Sequence, residues 1–110
     1  MDLIIRGRKY GLSPRLAIDV LELAAAVEKR GTGDELTNVL SMTRVVTDSL
    51  KATGRKLGRV RGLRYWRFLR GGGIQYLLKN LSSAEVIGAY VNVLEIEGMK
   101  KKELEDLVSS

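Results

Sequence analysis

Apolar residues recur along the chain at two different periods. From Leu16 the positions Leu16, Val20, Leu23 and Val27 repeat at helical spacing, and Ala17, Leu21 and Ala24 widen the stripe. Ser13-Pro14 before this run reads as an N-cap followed by proline at the first helical position. Asp19 and Glu22 come early, Lys29 and Arg30 come late, and Gly31 reads as a C-cap, so the pattern predicts a helix over 14–30. Thr32-Gly33-Asp34-Glu35 has the form of a capping box, and Leu36, Val39 and Leu40 after it predict a short second helix. Ser41-Met42-Thr43 is expected to break that helix, because serine and threonine favour turns and caps. Thr43 then caps a third helix with Val46 and Leu50 on one side and Arg44, Thr47, Asp48 and Lys51 on the other; Gly54 or Leu57-Gly58 ends it.

Between residues 59 and 79 the period changes. Leu63-Arg64-Tyr65-Trp66-Arg67-Phe68-Leu69 is aromatic-rich and predicts a strand, Gly71-Gly72-Gly73 a turn, and Ile74-Gln75-Tyr76-Leu77-Leu78 the returning strand. Alternation places Trp66 and Phe68 on one face of this hairpin. Ser82 and Glu85 then form a second capping box, with Leu81 and Val86 spaced as a hydrophobic staple. Val86, Tyr90, Val93 and Leu94 continue as a helical stripe that Gly98 is expected to close. The charged tail from Met99 carries Leu104, Leu107 and Val108 and suits a short helix.

With 110 residues, 45% of them hydrophobic and 29% charged, the chain has the length and composition of one ordinary folded domain. It divides into residues 1–80 and a C-terminal helical extension, 81–110. No apolar run approaches the roughly 18 residues of a membrane span, and the start lacks the features of a signal peptide, so a cytoplasmic location is expected. The chain contains no cysteine and no histidine. Disulfides, Cys/His zinc sites, Ser-His triads and imidazole acid–base catalysis are thereby excluded, while a carboxylate metal site stays formally open. The three glycines are not followed by Gly-Lys-Ser/Thr, so they do not form a nucleotide P-loop. The carboxylate pairs Glu95/Glu97 and Asp34/Glu35 suit helix termini or solvated faces. No catalytic constellation emerges, no cofactor is expected, and the expectation is a protein that is not an enzyme. The many Arg, Lys and Glu, beside a single glutamine, resemble thermophile compositions.

Charge adds the functional signal. Of the formal +6, residues 1–43 contribute nothing and residues 81–110 contribute −3. Residues 44–80 carry Arg44, Lys51, Arg55, Lys56, Arg59, Arg61, Arg64, Arg67, Arg70 and Lys79 against a single acid, Asp48. Such a segment repels itself unless an anionic partner lies near it, and nucleic-acid phosphates are the commonest such partner.

Helix, short helix, turn, helix and basic hairpin is the order of a winged helix-turn-helix domain. The stretch DELTNVLSMTRVVTDSLKATGRKLGRV, from Asp34 to Val60, resembles that family through the spacing of Leu36, Leu40, Met42, Val46 and Leu50. Ser41 stands where the family's turn often has glycine, and Thr53-Gly54 stands where leucine is usual. The resemblance implies a mostly α, α+β fold: a three-helix core, a β-hairpin wing and the C-terminal helical extension. It further implies a transcriptional regulator that binds double-stranded DNA. Its recognition helix would present Arg44, Thr47, Asp48, Lys51 and Arg55 to the major groove. Its wing and flank would present Lys56, Arg59, Arg61, Arg64, Arg67, Arg70, Gly72 and Lys79 to the backbone or minor groove. A homodimer is expected through Val86, Tyr90, Val93 and Leu94. The alternatives are a winged-helix protein-interaction module, with the acidic 95–110 region serving a partner, and an RNA or single-strand binder using Tyr65 and Trp66. Trp66 and Phe68 are otherwise the wing's contribution to the core.

Overall fold

The chain begins with a β-hairpin that is not among the elements expected above. In the computed structural model, which describes residues 2–30 and 35–109, β1 (Asp2–Ile5) pairs antiparallel with β2 (Arg8–Gly11), Leu3 opposite Tyr10 and Ile5 opposite Arg8. Alternation buries Leu3, Ile5 and Tyr10 and leaves Asp2, Ile4 and Lys9 exposed. Arg6 (φ 52°) and Gly7 (φ 79°) make the two-residue turn, both left-handed as a hairpin of this hand requires.

Five helices follow: α1 (Ala17–Arg30), α2 (Glu35–Arg61), α3 (Leu63–Arg70), α4 (Gly73–Asn80) and α5 (Ser83–Ser109). The fold is therefore mostly helical with one small antiparallel hairpin. α2 is the central strut. Thr43, Val45, Val46, Ser49, Leu50, Ala52 and Thr53 are all buried, because the hairpin and the other helices pack around its middle. Its buried hydroxyls find local or tertiary acceptors. Ser49 Oγ donates to the Ser13 carbonyl at 2.6 Å, and Thr53 Oγ1 donates to the Gly11 carbonyl at 2.8 Å. These bonds tie the segment after β2 to α2. Ser13 is thus a buried anchor rather than a helix cap, and α1 starts at Ala17 instead of Pro14.

Three further expectations are corrected. The break at Ser41-Met42-Thr43 does not occur: α2 runs through it. Thr43 and Thr47 donate their hydroxyls to the carbonyls of Val39 and Thr43, four residues back, each at 2.8 Å, so they satisfy themselves inside the helix. The two short helices of a helix-turn-helix are one helix here. Second, residues 63–80 form α3 and α4, not a β-hairpin wing. Helical spacing lets Tyr65 and Phe68 face the core together while Arg64, Arg67 and Arg70 face water; strand alternation would have sent the two aromatics to opposite faces. Their rings complete a cluster: Tyr10 meets Tyr65 and Phe68 edge-on at 5.2 and 5.3 Å, and Tyr76 stacks on Phe68 at 5.0 Å. Third, α5 does not end at Gly98 but continues to Ser109. The Gly31 cap and most of the first capping box fall outside the described residues. The second capping box forms as read, with Glu85 N–H donating to Ser82 Oγ (3.2 Å) and Ser82 N–H to Glu85 Oε1 (3.0 Å).

Candidate nucleic-acid interface

The face expected to read bases is occupied by the protein itself. Arg44 and Lys51 on α2 turn toward α1, where Arg44 Nη2 lies 4.0 Å from Glu22 and Lys51 Nζ 3.8 Å from Asp19. Thr47 gives its hydroxyl to its own helix. Asp48 is buried beside Asp19; burial first, and the Asp19 charge second, push its carboxyl up to about 6 against the opposing pull of Arg44, Lys51 and Arg15. Arg44, Asp48 and Lys51 thus pack in or beside the α1–α2 seam, while Thr47 lies against Gly73 at the start of α4; Thr47, Asp48 and Lys51 also line a depression of about 550 Å³ that they share with Trp66 and Arg70. Arg55, also assigned to a recognition helix, is exposed.

The exposed cations gather at the other end of α2. Gly58, at φ 85° and ψ −172°, breaks the helical path inside α2, and Arg55, Lys56, Arg59 and Arg61 around it all face solvent. Gly62 links this end to α3 by a very close approach. A Cβ there would lie 2.5 Å from the Gly58 carbonyl oxygen and 2.7 Å from that of Gly54. α3 then presents Arg64, Arg67 and Arg70 to solvent on a helix packed directly against α2.

A depression lies on each side of α3. One, of about 430 Å³, is lined by Arg8 from β2, Arg64 and Arg67 from α3, Gly72, and Tyr76 and Lys79 from α4. Arg64 is held there by its guanidinium carbon standing 5.2 Å from the ring centroids of both Tyr10 and Tyr65. Gly72 (φ 95°) is the residue before α4 and supplies no side chain to cap its first turn, so the bare helix start opens beside these cations. The other depression, of about 700 Å³, is lined by Arg55, Arg59 and Arg70 around Trp66, with Leu63 and the backbone of Gly54 and Gly58. Among the described residues, no acidic residue lines either one. The residues assigned to a wing are therefore brought together, on helices rather than strands. Lys56 and Arg61 are exposed nearby on α2, outside both depressions.

Trp66, which the single-strand alternative names, belongs to this surface, and so does Arg8, which no expectation assigned to it. Arg8 reaches it from the N-terminal hairpin, whose signals in the sequence are the Leu3/Ile5 alternation and the Arg6-Gly7 turn. The residues assigned to a dimer face divide differently. Val86 and Val93 are buried in the protomer's own core, and Tyr90 packs against it. Leu94 is exposed and lies with Ile87 and Val91 on an outward stripe of α5. Among the described residues, no group of three or more Asp or Glu side chains is placed to hold a metal ion, and no helix is long and apolar enough to cross a membrane. Comparison of the chain with protein-family models, with curated proteins and with solved structures found no match.

Proposed function

We propose that the protein binds double-stranded DNA through α3 and the basic depressions on its two sides, gripping phosphates rather than reading base edges. The observation that carries this reading is the flanking of one short helix by Arg8, Arg64, Arg67 and Lys79 on one side and Arg55, Arg59 and Arg70 on the other, without an acid among the described residues of either lining. A helix with its side chains is about as wide as a major groove, roughly 10–12 Å, and cations on both flanks of such a ridge suit the two phosphate strands bordering a groove. Sequence discrimination finds little support, because Arg44 and Lys51 pair with acids of α1, Thr47 gives its hydroxyl to its own helix and Asp48 is buried. A role as an architectural or backbone-tracking protein fits this surface better than that of a site-specific regulator.

The test is binding to labelled duplexes of unrelated sequence over a salt series. Similar affinities for all sequences, falling steeply with salt, are expected, because each neutralised phosphate contributes about −0.9 to the slope of log K against log salt. Absence of duplex binding at low salt overturns the reading. Strong preference for one duplex sequence returns the argument to base recognition.

A further inference from the structure

Duplex phosphates account for the arginines but not for the indole among them. Phe68 and Tyr65 are buried, whereas Trp66, their neighbour on α3, is half-buried and forms part of the wall of two adjoining depressions. The larger, about 700 Å³, combines Trp66 and Leu63 with three guanidinium groups and, among the described residues, no carboxylate; the smaller reaches Asp48 and Lys51. The indole rests on glycine backbone: a Cβ at Gly54 would be 3.3 Å from its Cε2, and one at Gly62 would be 3.2 Å from its Nε1. The ring is thus seated on two positions that have no side chain of their own, which fixes it as a ledge. A bare phosphate needs neither an aromatic ledge nor a cleft of this size. A flat ring attached to phosphates uses both, stacking on or against the indole while its phosphates reach Arg55, Arg59 and Arg70.

We propose that the Trp66 cleft is a nucleobase subsite, which takes one unstacked base of a nucleic-acid strand and holds its flanking phosphates with Arg55, Arg59 and Arg70. The proposal rests on the nucleic-acid reading above and extends it from duplex backbone to strands with an unpaired base, such as ends, bulges or junctions. The subsite is indifferent to base identity, because a stacking ledge offers every base the same kind of contact.

The chain has a single tryptophan, so the cleft carries its own fluorescent reporter. The full-length protein is titrated with an octameric deoxyadenylate and with an abasic octamer of equal phosphate number, and separately with a duplex. The base-bearing octamer should quench Trp66 and bind about ten-fold more tightly than the abasic one, the range of a single base–aromatic stack. Trp66→Leu should abolish that ratio without changing the affinity for the abasic octamer, and Trp66→Phe should keep part of it. The wild-type ratio alone decides the matter if Trp66→Leu does not fold. Equal binding of the two octamers, or no binding of either, overturns the subsite. Duplex binding is read independently, so a bound duplex with equal octamers removes the subsite alone, whereas an unbound duplex beside a preferred base-bearing octamer removes the duplex reading alone.

Discussion

Asp19 of α1 and Asp48 of α2 are both buried, and each keeps one carboxylate oxygen without a hydrogen-bond partner. The charged groups facing Asp48 are Asp19 from α1, Arg15 from the segment before it, and Arg44 and Lys51 from its own helix. Burial and the Asp19 charge prevail, so the folded protein holds the Asp48 proton up to about pH 6, against an ordinary value of 3.8. The fold binds this proton more tightly than the unfolded chain does. The resulting stability is complete below the ordinary value and is lost as pH rises through about 6. Asp48→Asn removes the titration. It should raise stability above neutral pH by about 1–3 kcal/mol while changing it little in mild acid. Denaturant midpoints across the pH range check this; a variant whose pH profile parallels the wild type refutes it.

The opposite sign is expected at Arg15 and Glu97, which join the start of α1 to α5. The Glu97 carboxylate accepts from the Arg15 backbone N–H at 2.9 Å and from its Nε and Nη2, each at 2.8 Å. Burial pushes the Glu97 carboxyl up, but these bonds outweigh it and hold it below the usual range. This pair therefore stabilises the fold above the carboxylate range and loses its contribution as pH falls through the lowered value. Arg15→Met should cost about 1.5–3 kcal/mol at neutral pH, the range for hydrogen bonds to a charged group. A double-mutant cycle with Glu97→Gln measures the coupling, and a coupling near zero would show the geometry to be energetically idle.

Glycine substitutions should separate by what their new Cβ meets. At Gly62 it would press on two backbone oxygens that cannot rotate away, so Gly62→Ala should destabilise by about 1–3 kcal/mol or more and misplace α3. At Gly98, inside α5, nothing lies within 4 Å, and Gly98→Ala should stabilise by about 0.5–1 kcal/mol. Thermal melts of the two variants should move in opposite directions.

The legible parts of this fold were those whose signals are local. The Ser82/Glu85 box and the apolar spacing after it placed α5, and the Leu16–Val27 stripe placed α1 to within a few residues. The rest was decided by tertiary context. Thr43 and Thr47 read as breakers, yet a hydroxyl that bonds four residues back is compatible with a helix buried on most sides. The run from Leu63 to Leu69 has the composition of a strand, and only the joint burial of Tyr65 and Phe68 with arginine at every third position marks it as a helix. For the candidate site, the basic segment was legible as charge. Which of its cations are free was not, since that depends on the acids of α1: Asp19, 32 residues from Lys51, and Glu22, 22 residues from Arg44.

That distinction yields the final prediction. Arg44 and Lys51 answer acids within the fold, whereas Arg64, Arg67 and Arg70 stand exposed and, among the described residues, no acid lines the two depressions that flank α3; a third, where Arg70 meets Trp66, reaches Asp48 and Lys51. Arg67→Ala and Arg70→Ala should therefore weaken duplex binding uniformly across sequences, each lowering the magnitude of the salt slope by about 1. Arg44→Ala and Lys51→Ala should leave the slope unchanged. Their effect belongs to stability: each removes a cation that opposes the rise of the Asp48 carboxyl, so the loss of stability between acid and neutral pH should deepen. Arg44→Ala should show this more strongly, because Arg44 holds the Asp48 carboxyl down more than Lys51 does. If the Arg44 and Lys51 variants instead flatten the salt slope while those of Arg67 and Arg70 do not, the DNA-binding face lies on the α1–α2 side, and the assignment of α3 as the contact helix fails.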